Sequence, residues 1–222
     1  MSEAASSASP APTTTLGGYL AARIVQAGAS DFFGVPGDYN LVLLDELLKQ
    51  PGLRMIGCCN ELNAGYAADG YARVRGFSVV VVTYMVGATS LLNATAGSYS
   101  DDLPVLVVSG GPNSNDAGAH HVLHHTIGEK ELYQASQCFA PVVRKAIVIR
   151  HLDEATAQID EAVTLCLRDR KPVYLEIACN LANARVPAPG PLTLPPAPLS
   201  SDPASLAAAV EAAVAHLTAS VK

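Results

Sequence analysis

The chain has 222 residues, 50% of them hydrophobic and 15% charged, with a formal net charge of −6. A chain of this length can bury about 70% of its unfolded surface. Its 14 Lys and Arg against 20 Asp and Glu argue against the basic patch of a nucleic-acid partner, and no apolar run approaches the ~20 residues of a membrane-spanning helix.

Residues 1–15 are rich in Ala, Ser, Pro and Thr and carry Glu3 but no Lys or Arg. They lack the basic start of a secretory signal and the Arg content of a transit peptide, and read as a disordered leader. Leu16, Tyr19, Leu20, Ile24 and Ala27 then keep helical spacing, and Gly28 offers a stop. Residues 31–35 read as a strand closed by Pro36-Gly37, and Asn40 as the cap of a helix over 41–50. Residues 53–59 read as a short buried strand. Asn60 caps the small-residue helix that follows, so Glu61 stands where a strand hands over to a helix.

Residues 77–84 contain Val79-Val80-Val81-Val82, apolar on both faces, as in a central parallel strand covered on both sides. A second small-residue helix spans 86–100, a buried strand 104–109, and a long loop about 110–126. A helix near 129–137, a strand at 142–148, a helix at 153–168 and a strand at 173–178 complete the alternation. Six strands with interleaved helices define an α/β fold: one doubly wound parallel sheet with helices on both faces, in a domain of residues 16–182. Six prolines crowd residues 185–201, so 183–201 reads as a stiff linker. Residues 202–222 form one more helix, with Leu206, Val210, Val214, Leu217 and Val221 on one stripe, and read as the first helix of a truncated middle domain.

Five cysteines form no C-x-x-C pair and sit on strand-like or helix-like positions. They suggest buried, reduced thiols in a cytoplasmic protein. Neither G-x-G-x-x-G after a strand nor a P-loop is present, which removes the ordinary dinucleotide and nucleotide readings.

In open α/β sheets ligands bind at the carboxyl ends of the strands. Glu61 lies at that edge, although a carboxylate there can be a plain first-turn helix charge. Asp38, in Gly34-Val35-Pro36-Gly37-Asp38-Tyr39-Asn40, is either a helix cap or a second carboxylate on the same edge. Four of the six histidines crowd into residues 120–125. On a helix His120/His124 and His121/His125 would pair at a zinc-binding spacing, but no adjacent carboxylate or thiolate completes a ligand set, and no metal site is assigned. A solvated loop and a proton-transfer role remain the other readings. Asp45-Glu46 reads as a solvated helix face, and Asp101-Asp102 as a turn.

The blocks Gly34-Val35-Pro36-Gly37-Asp38-Tyr39-Asn40-Leu41, Cys58-Cys59-Asn60-Glu61-Leu62-Asn63, Thr83-Tyr84-Met85-Val86-Gly87-Ala88, His121-Val122-Leu123-His124-His125 and Lys171 to Asn180 together resemble thiamine-diphosphate-dependent pyruvate decarboxylase. The resemblance runs from about Leu16 to Asn180 and points to the pyrimidine-binding domain, the first of the family's three. It implies that Glu61 binds the cofactor by a hydrogen bond to N1′ of its aminopyrimidine. Asp38, His124 and His125 would surround the substrate and its proton transfers, with Asp38 and His125 binding the 2-oxo acid. Mg2+ and the diphosphate would be held by a domain absent from this chain, contributed by another subunit of a homodimer or homotetramer.

The implied reaction is the non-oxidative decarboxylation of pyruvate to acetaldehyde and carbon dioxide, with this chain inactive alone. A stand-alone pyrimidine-binding module, a non-catalytic interaction protein and a decarboxylase of bulkier 2-oxo acids are the alternatives.

Overall fold

The computed structural model describes residues 12–193 and 201–220. Contacts divide the chain after Leu192. In the first unit the elements run β1 (Thr13–Thr15), α1 (Leu16–Gln26), β2 (Asp31–Gly34), α2 (Leu41–Leu48), β3 (Arg54–Gly57), α3 (Glu61–Arg75) and β4 (Ser78–Val82). They continue through α4 (Val86–Ser90), α5 (Leu92–Ser100), β5 (Val105–Gly111), α6 (Asp116–Ala119), α7 (Gln134–Phe139), β6 (Ala146–Ile149), α8 (Leu152–Asp169), β7 (Val173–Ala178) and β8 (Arg185–Pro187).

Six strands form one parallel sheet in the order β3-β2-β4-β5-β7-β6, as the alternating pattern predicts. Strand interiors follow the period of two. In β4, Val79 and Val81 join the core packed under α1 and α8, while Val80 and Val82 join the core under α3, α5 and α7. Leu106 and Val108 of β5 divide from Val105 and Val107 in the same way. Burial on both faces is why these strands read as continuous apolar runs. Arg23 of α1 clasps Asp160 of α8 (Nε to Oδ1 2.6 Å, Nη2 to Oδ2 2.9 Å), tying the two helices of one layer together.

The chain reverses its direction of winding between β2 and β4, because it goes outward to β3 before returning. The crevice at the carboxyl ends of β2 and β4 is therefore the topological switch point, where such sheets receive ligands.

Several elements differ from expectation. Residues 13–15 and 185–187 pair as a two-stranded antiparallel ribbon, β1 with β8, although composition places them in the leader and the linker. The rest of the expected leader (1–11) and part of the linker (194–200) lie outside the described residues. Strand β3 is an exposed-to-half-buried edge strand of four residues rather than a buried one of seven. The expected helix over 86–100 breaks at Leu91 into α4 and α5, and the helix near 129–137 begins instead at Gln134.

Only Cys166 is buried; Cys58 and Cys179 are half-buried, and Cys59 and Cys138 are exposed. Glu46 is buried rather than solvated, accepting from the Thr15 hydroxyl (2.6 Å) and paired with Lys49. Asn40 does not cap α2. Its amide closes the preceding turn, accepting from Gly37 N–H (2.9 Å) and donating to the Val35 carbonyl (3.1 Å).

In the second unit, helix α9 (Pro203–Ala219) starts with Asp202 accepting from Ser205 N–H (2.8 Å). Leu206, Val210, Val214 and Leu217 are exposed along it, and Val221 lies outside the described residues. Among the described residues no helix is long and apolar enough to cross a membrane.

Candidate functional site

Glu61 is the first residue of α3. Asn60 caps the helix, accepting from Asn63 N–H (2.9 Å), while the Asn63 side chain accepts from Cys59 N–H. These neighbours are occupied with one another, which leaves the Glu61 carboxylate without a hydrogen-bond partner among the described residues. It lies against Gly87 of α4: a Cβ there would stand 3.1 Å from Glu61 Oε1 and 3.1 Å from Thr83 Cγ2. Thr83, just past β4, also walls the Asp38 turn, since a Cβ on Gly37 would meet its Cβ at 2.6 Å. Glu61 and the Asp38 turn thus flank Thr83 across the switch-point crevice. The Thr83 hydroxyl is buried and has no hydrogen-bond partner among the described residues.

The small residues of α3 have a packing cause as well. A Cβ on Gly65 would lie 2.8 Å from Ala94 Cβ and 2.9 Å from Leu91 Cδ2, so α3 and α5 approach closely beneath the crevice.

The histidine loop folds back over the same edge. It is not a helix, so the His120/His124 and His121/His125 pairings at four-residue spacing do not form. His120 is exposed, and His121 turns to Asp116 (3.2 Å). His124 instead hydrogen-bonds through Nε2 to Asp38 Oδ2, and His125 Nδ1 stands 3.7 Å from Asp38 Oδ1. The two rings meet edge-on at 4.7 Å.

Tyr39 supports the cluster from below. It stacks on His124 at 5.0 Å, donates its hydroxyl to the His124 carbonyl (3.4 Å), and its backbone N–H donates to Asp38 Oδ1 (3.1 Å). Burial raises the Asp38 carboxyl, but the His124 hydrogen bond and the two histidine charges outweigh it and hold that carboxyl below the ordinary range. Burial, and then the Asp38 charge, push the Tyr39 hydroxyl up to about 12, so it acts as a neutral donor.

The structure therefore brings Asp38, His124 and His125 together and sets Glu61 at the next strand end, across Thr83. Sequence reasoning gave no role to Tyr39, Thr83 or Gly87, although all three stand within the quoted motif blocks. It also missed a buried network behind the loop.

Glu176 of β7 accepts from the Tyr174 hydroxyl (2.8 Å) and from Arg150 Nη2 (3.3 Å). Arg150 also donates to the Leu132 carbonyl (3.3 Å), which accepts from the Tyr84 hydroxyl as well (2.8 Å). Tyr84 meets the Tyr39 ring edge-on at 5.7 Å. The network thus pins the far end of the histidine loop to the crevice floor. Its sequence signals, a Glu inside a buried strand run and an Arg just past another, are legible only once β6 and β7 are known to be neighbours.

Burial raises the Glu176 carboxyl to about 7, against the Tyr174 hydrogen bond and the Arg150 charge. A carboxyl raised in the folded state binds its proton more tightly there, so its ionisation removes stability as pH rises from about 4.5 through about 7. Arg150→Met takes away the compensating cation, so the folded value climbs further and the decline extends above pH 7. Urea unfolding is expected to show a loss of about 3 kcal/mol at pH 8 and clearly less at pH 5.5, where Glu176 is protonated. Equal losses at both pH values would contradict this account.

A family model of the thiamine pyrophosphate enzyme N-terminal TPP binding domain matches residues 14–132. That span exceeds half of the chain, and the chain belongs to this family of thiamine-diphosphate-binding domains. Among curated relatives it is 52% identical over 224 residues to pyruvate decarboxylase 2 of Oryza sativa subsp. japonica, covering 97% of this chain and 37% of that protein. It is 51% identical over 224 residues to pyruvate decarboxylase 1 of Zea mays, covering 99% of this chain and 36% of that protein. It is also 51% identical over 214 residues to pyruvate decarboxylase 1 of Arabidopsis thaliana, covering 94% and 35%. The chain spans little more than a third of the length of these relatives.

The residues present fit the cofactor's pyrimidine end. A side-chain-free wall at Gly87 and an uncommitted carboxylate at Glu61 leave room and an acceptor for a ring nitrogen.

Proposed function

We propose that this chain supplies the pyrimidine-activating half of a thiamine-diphosphate site for the non-oxidative decarboxylation of pyruvate to acetaldehyde and carbon dioxide. The observation that carries the proposal is the uncommitted Glu61 carboxylate at the switch-point crevice, one strand from the Asp38–His124–His125 cluster. The names of the relatives support the choice of reaction.

When bound, thiamine diphosphate supplies the electron sink for the pair left behind as carbon dioxide departs. Glu61 holds the pyrimidine by accepting at its carboxylate, where the positive end of α3 favours the charge. Asp38 keeps His124 in place through Nε2, and the cluster offers the substrate's carbonyl carbon and oxygen a donor that can be recharged from solvent. Tyr39, held neutral, fixes the His124 ring face.

Exposed apolar side chains rim this edge: Leu41 and Val42 at the start of α2, Tyr66 on α3 and Val86 at the start of α4. Such a rim suits a covering surface. We assign that surface to the diphosphate-binding domain of another subunit, together with Mg2+. The protein carrying this chain, given thiamine diphosphate, Mg2+ and pyruvate, is expected to release acetaldehyde and carbon dioxide in equal amounts, while the 222 residues alone give none. Acetolactate as the product, turnover only with aromatic 2-oxo acids, or turnover by the isolated chain would overturn the proposal.

A further inference from the structure

Asp38, His124 and His125 offer one ligand atom each, all within 4.8 Å of one another. The sequence shows two of these groups side by side but hides the third, which arrives from 86 residues away through the fold. We propose that this trio is a three-ligand site for a transition-metal dication of the Zn2+ class, with water in the fourth position.

Tetrahedral zinc with nitrogen and oxygen ligands at about 2.0–2.2 Å sets those ligands roughly 3.3 Å apart. His125 Nδ1 and Asp38 Oδ1 are already at 3.7 Å, and His124 Nε2 sits on the other oxygen of the same carboxylate. Bringing the three together takes small rotations of side chains that are 38–60% exposed. The exposure also leaves an open side from which the ion and its water can enter.

Two further observations point to a ligand. His125 Nδ1 is buried and has no hydrogen-bond partner among the described residues, with Asp38 Oδ1 3.7 Å away, beyond bonding range. Buried polar atoms are almost always partnered, and a bridging metal ion would satisfy this one. His124 already has the outer support that metal-ligating histidines use: its Nδ1 lies 3.5 Å from the Tyr39 hydroxyl, which can fix the tautomer that leaves Nε2 free for the ion.

Two imidazoles with one carboxylate favour Zn2+, Co2+ or Cu2+ over the oxygen-seeking Mg2+ and Ca2+. An occupied site would withdraw all three side chains from proton transfer and so inhibit the decarboxylase. This consequence rests on the function proposed above, whereas the binding itself does not.

The test is titration of the 222-residue chain with Zn2+ by calorimetry and with Co2+ by visible absorption. One ion per chain is expected, unaffected by millimolar Mg2+, with the strong visible band of four-coordinate Co2+. Asp38→Asn, His124→Ala and His125→Ala should each weaken binding at least about tenfold, with unchanged far-UV circular dichroism. His124→Gln and His125→Gln provide the same readout if an alanine variant unfolds. His121→Gln and Glu61→Gln should bind as the unaltered chain does. The Glu61→Gln control separates this site from cofactor activation, which that change is expected to slow. Absence of equimolar binding, a weak six-coordinate Co2+ spectrum, binding that survives His125→Ala, or loss that follows His121→Gln would each overturn the proposal.

Discussion

Replacing Glu61 with glutamine is expected to slow exchange of the thiazolium C2 proton of bound thiamine diphosphate by about 10²–10⁴-fold, the usual range for losing a positioned acid–base group. Glutamine keeps the size of the side chain and its place against Gly87, but it presents an uncharged amide to the pyrimidine nitrogen. The fold should persist, because Glu61 is half-buried and, among the described residues, makes no hydrogen bond that holds α3 in place. Asn60 remains as the cap, and loss of a first-turn charge costs only about 0.3–1 kcal/mol.

The measurement is deuterium exchange at C2 in the assembled protein, with urea unfolding of the chain as the stability control. Near-normal exchange would remove Glu61 from the role assigned to it. A large stability loss would show instead that the carboxylate is structural. Glu61→Asp sharpens the test: it keeps the charge but withdraws it by one methylene, so it should recover helix stability and only part of the exchange rate.

The parallel sheet was legible because its signals are local and redundant. Val79 to Val82 reads as a strand covered on both faces, and Asn60 marks the start of α3. The edge was less legible. Strand β3 has only one neighbour and a mixed exposure pattern, so its apolar residues overstated its length and burial. The ribbon of β1 and β8 joins residues 170 to 174 positions apart in short Thr- and Pro-containing segments, and neither segment carries a strand period of its own.

The site divides along the same line. Glu61 and Asp38 follow strands directly, so the carboxyl-end rule finds them. The histidine loop holds no regular period, and a helical spacing of its histidines led to pairings that do not exist. What orders it is tertiary: the Asp38 carboxylate at one end, and the carbonyl of Leu132 between Tyr84 and Arg150 at the other.

Gly110→Ala should do the most damage to the site's frame without touching any of its polar side chains. Gly110 lies near the end of β5, where the backbone of the Asp38 turn passes directly overhead. A Cβ there would stand 2.0 Å from the Tyr39 carbonyl oxygen, 2.4 Å from its carbon and 2.8 Å from Asn40 N. These obstacles are backbone atoms, and the Asn40 amide already ties that turn to Val35 and Gly37. No side-chain rotation relieves the contact, so the turn itself must lift from the sheet. The expected cost is about 3 kcal/mol or more, at the upper end for overpacking a well-packed site.

Lifting the turn carries Tyr39 and Asp38 away from His124, so metal binding and decarboxylation should both fall even in chains that remain folded. Gly70→Ala is the matching control. Its Cβ would meet nothing within 4 Å on an exposed face of α3, so it should gain about 0.5–1 kcal/mol from helix propensity. Urea midpoints for the two variants, measured side by side, decide the matter. If Gly110→Ala unfolds at the same urea concentration as the unaltered chain, the turn is free to move, and the close seating of Asp38 on the sheet is not what holds the histidines in place.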